Sequence, residues 1–238
     1  MIDAAAVADA LNQKGFAVLP RVVDASTILD LTRALERPPV TDAVRLKGKR
    51  PFGIRNLLEV VPHTRRFAES DLLLSLARIG LGDYAKLVRG LFFDKSPQAN
   101  WKVAWHQDLT IAVEKRMDLE GFGPWTKKAG VTHVQPPIAV LEGMLALRVH
   151  LDDCDIWNGA LRVMSGSHTR GRLSQEAISD CIKTEVPVVC EVPRGGVLLM
   201  KPLLLHSSSA SAKPLHRRVV HFEFSSIKLP GGLSWYER

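Results

Sequence analysis

The chain holds only three cysteines, Cys154, Cys181 and Cys190, in 238 residues. The number is odd and no pair has CxxC spacing, which argues against a disulfide framework and against a zinc knuckle. No apolar run approaches the ~20 residues that a membrane helix needs. The opening MIDAAAVADALNQKGF lacks the basic n-region and long apolar stretch of a secretory signal. Aromatic residues make up 6% of the chain, and no basic stripe is interleaved with them, so a nucleic-acid surface is not indicated. There is no internal repeat, low-complexity linker or glycine-rich phosphate loop. These absences point to a reduced, cytoplasmic protein with neither nucleic acid nor membrane as its partner. The oligomeric state is not legible.

What is present suits one sizeable domain over residues 1–238. The apolar fraction of 46% and charged fraction of 24% are ordinary for a globular protein with a large core. The net charge of +7 is spread along the chain, with short clusters such as RLKGKR at 45–50. The excess mildly suits an anionic small molecule and is otherwise a solvated surface.

Residues 1–85 read as a mostly helical flank. DAAAVADALNQKG ends in a glycine stop, and FAVLP reads as a short strand. DASTILDLTRALER places Asp24 at an N-cap and Ile28, Leu31 and Leu35 on one stripe, and Pro38 and Pro39 end it. Residues 69–80 form a further amphipathic helix carrying Leu72, Leu73, Leu76 and Ile79. From 86 to 226 the chain breaks into β-rich runs: KLVRGLFFD, NWKVAWHQDLTIAV, MLALRVHLDDC, GALRVMSGSH, VPVVCEVPRGGVLLMKPLLLHSS and RRVVHFEFSS. A long irregular segment, 114–138, lies among them and has the length of a lid or binding loop. The expectation is a mainly β fold with flanking helices, a sandwich or barrel.

In a strand through AWHQDL, His106 and Asp108 project to one side and Gln107 to the other. Alone, the pair also reads as a surface pair or a capped turn. His206 ends GGVLLMKPLLLH, a strongly apolar run where a polar ring needs a reason to be buried, though a satisfied core histidine would do. Two histidines and one carboxylate on one face of a metal leave open positions, the signature of non-haem Fe(II) oxygenases. Eleven residues on, SAKPLHRRVVHFEF reads as the next strand of a hairpin. Arg217 there shares a polar-tolerant face with Val219, His221 and Glu223, while Arg218 shares the more apolar face with Val220, Phe222 and Phe224. A guanidinium on the first face could grip a carboxylate, with Ser208 adding a hydroxyl. Lys102, placed on the strand and face of His106, is a third candidate for binding the cosubstrate or the substrate, a surface lysine being the other reading. Arg148 and His150 share one strand face, and Trp125 sits in the long loop with the HVQPP turn; whether these line a pocket stays open. His168 in SGSH reads as structural.

Taken together, WHQD, LDDCDIWNGALRVMSGSH and HSSSASAKPLHRR resemble the phytanoyl-CoA dioxygenase family of Fe(II)- and 2-oxoglutarate-dependent oxygenases, in order and over most of the chain. The resemblance implies a double-stranded β-helix, or jelly roll. It implies Fe(II) held by His106, Asp108 and His206 as the catalytic and metal-binding residues, and 2-oxoglutarate held by Arg217, with Ser208 assisting. It also implies dioxygen as co-reactant, with succinate and carbon dioxide released as a small-molecule C–H is hydroxylated. Asp108 is retained where related halogenases carry a small residue, so hydroxylation is expected. The rival readings are a non-catalytic cupin-like binding module, a Zn(II) metallohydrolase on the same ligands, and a DNA-repair dioxygenase, which would need a basic aromatic groove. The substrate, and whether it is a CoA thioester, is not readable.

Overall fold

In the computed structural model, residues 2–213 and 215–237 are described. The chain opens with α1 (Ala4–Gln13), β1 (Phe16–Leu19) and α2 (Ala25–Glu36). The Asp24 carboxylate accepts the Thr27 N–H at 2.9 Å, capping α2, and Ile28, Leu31 and Leu35 are buried. The hairpin β2 (Val44–Lys47) and β3 (Arg50–Ile54) precedes α3 (Leu57–Val60), α4 (Pro62–Ala68) and α5 (Asp71–Leu81). Ser70 caps α5. The β region comprises β4 (Lys86–Lys95), β5 (Val103–His106), β6 (Ile111–Val113), β7 (Trp125–Lys128) and β8 (Val131–Val134). After α6 (Ile138–Glu142) come β9 (Met144–His150), β10 (Leu161–Val163), α7 (Gln175–Thr184), β11 (Val188–Cys190), β12 (Val197–Met200), β13 (His206–Ser208) and β14 (Arg217–Ser225).

Every strand pairing is antiparallel. One sheet runs β1-β12-β9-β14-β4-β3-β2, a second β11-β10-β13-β5, and a third β6-β8-β7. Strand alternation gives the large sheet two different faces. Leu145, Leu147 and Val149 of β9 and Val220, Phe222 and Phe224 of β14 pack with the helices in the main core. On the opposite face, Ala146, Leu198 and Met200 pack with Leu161, Val163 and Cys190 of the second sheet. Arg148, His221 and Glu223 sit on that inner face and look across a cavity at His106, His206 and Ser208. The two sheets thus enclose a polar interior, as a jelly roll does. Among the described residues no helix is long and apolar enough to cross a membrane.

Residues 1–85 are mostly helical, with α1 to α5, while β1, β2 and β3 of the same flank extend the large sheet at its two edges. Three expectations are corrected. The run NWKVAWHQDLTIAV is two strands in different sheets, with the chain leaving the second sheet after His106. Segment 114–138 is not irregular throughout: β7 and β8 form a hairpin over a two-residue turn, with Ala129 at φ 48° and Gly130 at φ 80°. Two positive-φ residues are what a tight hairpin with the sheet's twist requires. Finally, β13 and β14 are not a hairpin. They lie in opposite sheets, and this separation places His206 and Arg217 on facing walls of the cavity.

Candidate metal centre and anion pocket

His106 and His206 are direct cross-strand partners in β5 and β13. Their rings stand 4.2 Å apart at 51°. Each Nδ1–H donates to a carbonyl two residues back, His106 to Ala104 O at 2.9 Å and His206 to Leu204 O at 2.8 Å. That bond sets both tautomers and leaves each Nε2 lone pair free. Asp108 lies just beyond the end of β5, held by its N–H donating to Pro202 O at 2.9 Å. Its two carboxylate oxygens stand 3.7 Å from His106 Nε2 and 3.7 Å from His206 Nε2. One ligand atom from each of the three residues lies within 4.8 Å of the others, a spacing that suits a single metal ion. Burial pulls the His206 pKa down to about 4, against the pull of Asp108. Burial alone would raise Asp108, but His206, His221 and His106 hold it at about 2. At neutral pH these are an uncharged imidazole and an ionised carboxylate, the forms that bind metal.

Gln107 faces away and anchors the segment. Its amide donates to Gly171 O and Leu203 O, and its carbonyl accepts the Leu173 N–H. On the opposite wall, Arg148 donates to His221 Nδ1 at 2.9 Å, which puts the ring proton on Nε2. That nitrogen lies 3.4 Å from Glu223, whose other partner is Arg89 at 3.1 Å. Burial alone would raise Glu223, but Arg89 and His221 hold its pKa below the usual value. Arg148 lines the cavity, whereas His150 on the same face is fully enclosed.

The cavity, about 270 Å³, is also lined by Ser208 and Arg217. Arg217 is 3% exposed and lies against the Cys154 thiol. Its Nε and Nη1 have no partner among the described residues. Two unpaired donors of a buried guanidinium call for an anion. Arg218 points to the other side and forks onto Asp152 at 2.8 and 2.6 Å.

Lys102 precedes β5 and is exposed, so it does not share the strand of His106. The buried amine beside this end is instead Lys95, which no sequence reasoning singled out. It ends β4 at 0% exposure and donates to Ser208 Oγ at 2.8 Å and Ser209 O at 2.5 Å. Burial, then the nearby Arg217, bring its pKa down to about 7. Between about pH 7 and the ordinary lysine value near 10.5, the unfolded chain binds more protons here, so stability rises with pH. The expected outcome is that Lys95→Met flattens this rise, read as urea midpoints at about pH 7 and about pH 9. A rise as steep as in the wild type would rule the amine out as its source.

The free and buried cysteines and His168, which contacts Asn12 O at 3.2 Å, stand outside the metal cluster. Trp125 opens β7 and packs against the core beneath the third sheet rather than lining the cavity.

The model of the phytanoyl-CoA dioxygenase (PhyH) family matches residues 11–219. The chain belongs to that family. Its fold is shared with AviO1 from Streptomyces viridochromogenes Tue57, at 22% identity, a TM-score of 0.68 and 97% coverage of both chains. EctD from S. alaskensis, crystallised with bound Fe, aligns at 20% identity and a TM-score of 0.71, covering 93% of this chain and 76% of EctD. HygX from Streptomyces hygroscopicus, crystallised with nickel and 2-oxoglutarate, aligns at 20% identity and a TM-score of 0.63, covering 90% and 84%. No curated protein matches this phytanoyl-CoA dioxygenase family member in sequence.

Proposed function

We propose that this chain is an Fe(II)- and 2-oxoglutarate-dependent oxygenase that hydroxylates a small molecule in a reducing, cytoplasmic setting. The observation that carries the proposal is the pairing within one cavity of a preset His106–Asp108–His206 cluster with the unpaired buried guanidinium of Arg217. His106, Asp108 and His206 would hold Fe(II), and Arg217, with Ser208 and the neighbouring Lys95, would hold the far carboxylate of 2-oxoglutarate. When bound, iron with 2-oxoglutarate and dioxygen supplies the oxidising power, and succinate and carbon dioxide leave. The protein's own residues orient both groups and screen them from water. Retention of Asp108 favours hydroxylation over halogenation.

A non-catalytic cupin-like module has no use for a complete triad beside an unpaired guanidinium. A Zn(II) hydrolase on the same ligands leaves Arg217 without a role. The expected outcome is slow succinate release from 2-oxoglutarate in air, requiring Fe(II) and absent with Zn(II). Succinate no higher than in iron-free controls counts against the proposal.

A further inference from the structure

Resting on the oxygenase reading, we propose that the substrate carries an anionic head group, a phosphate or carboxylate, seated outside the metal cavity between Arg45, Arg55 and Lys128. The cavity opens past Arg89, Leu91, Phe93, Trp101 and Lys128 into a second groove of about 570 Å³, and these five residues line both spaces. The inner face of the large sheet continues into this groove. In register, His221 pairs with Leu91, and one pair along the row Val219, Phe93 and Gly53 leads to Arg45 on β2.

The groove's charged lining is basic, with Gln98 and Asn100 as neutral polar members. Arg45, Lys47, Arg55, Arg89 and Lys128 contribute to it, and no carboxylate does. Arg89 is paired with Glu223. Among the described residues Arg45, Lys47, Arg55 and Lys128 have no acid within 4.0 Å. Arg45, Arg55, Arg89 and Lys128 crowd one another instead. Burial and then the charges of Arg45 and Arg89 lower the Arg55 pKa, and burial and then Arg89 and Arg55 lower that of Lys128. Glu223 and Asp108 act on Lys128 from the inner cavity, but no carboxylate lines the groove itself, and a bound anion there relieves the repulsion among the cations. Aromatic rings also line the groove: Phe52 and Trp101 meet edge to face at 5.7 Å, and Phe93 joins them in the lining. An anionic head among the basic residues and an apolar body along the aromatic rings would direct the rest of the molecule toward His106, Asp108 and His206.

This anion site differs from the one expected to hold 2-oxoglutarate, which lies at Arg217 and Ser208 within the inner cavity. The test exploits the difference. Protein saturated with Fe(II) and 2-oxoglutarate under nitrogen is titrated calorimetrically with phenyl phosphate, benzoate and benzyl alcohol. At least one anion is expected to bind more than about tenfold tighter than the alcohol, and the tighter of the two identifies the head group. Combined Arg45→Gln, Arg55→Gln and Lys128→Gln should weaken that anion by about tenfold or more while leaving 2-oxoglutarate binding intact. Exposed Arg45→Gln alone, which leaves the packing untouched, should weaken it severalfold. Anions no tighter than the alcohol, or unchanged affinity in both variants, overturn the proposal. Failure of the wild type to bind 2-oxoglutarate with Fe(II) would instead sink the oxygenase reading, while the variants' effect on anion affinity still reports on the groove.

Discussion

Asp108→Ala is expected to lower Fe(II) affinity more than about 100-fold and to abolish iron-dependent succinate formation, since even supporting residues around a metal cost about 10- to 100-fold. The carboxylate brings the only negative charge in the three-residue cluster and reaches toward both imidazoles at 3.7 Å. Without it, two neutral rings remain on adjacent strands, and two ligands do not retain a labile divalent ion. The fold should survive, because Asp108 is partly exposed and its anchoring bond to Pro202 runs through the backbone N–H. Anaerobic Fe(II) titration of folded protein gives the affinity directly. Wild-type affinity in the variant would mean that the metal binds elsewhere.

The second large effect is expected at Arg217. Removing one partner of a buried charged pair costs about 2–5 kcal/mol, so Arg217→Ala should weaken 2-oxoglutarate between about 30-fold and several thousandfold. Arg218→Ala is the matched control. Its guanidinium is already committed to Asp152 on the other side of β14, so 2-oxoglutarate affinity should stay within about twofold of wild type. Cosubstrate titrations of the two variants separate the outcomes. A loss in Arg218→Ala with none in Arg217→Ala would transfer the role to the neighbour.

Where side-chain alternation decides an outcome, the sequence is informative. RRVVHFEF separates Arg217, His221 and Glu223 from Val220, Phe222 and Phe224, and the structure puts the first set at the cavity and the second in the helix-facing core. The spacing of His106 and Asp108 held a similar clue, although Asp108 lies past the strand end and is steered by Pro202 and by Gln107 behind it. Residues whose meaning depends on distant chain were harder. Lys95 ends an apolar run as many surface lysines do, and only the crossing of β4 near β13 buries its amine against Ser208. The β2–β3 and β7–β8 hairpins are short and carry charged residues such as Lys47, Arg50, Lys127 and Lys128, so no apolar alternation marks them. Their turns, with Gly48 and the Ala129–Gly130 pair, lack the usual Asn-Gly signal. Those two hairpins supply Arg45 and Lys128, which explains why the basic groove stays invisible until the sheets are assembled.

The most direct test of the central claim is the visible absorption of the protein under nitrogen when Fe(II) and 2-oxoglutarate are added together. A weak metal-to-ligand charge-transfer band should appear in the wild type, and it should be absent in His206→Ala. No band in the wild type, or an undiminished band in His206→Ala, would contradict the assignment of iron to His106, Asp108 and His206.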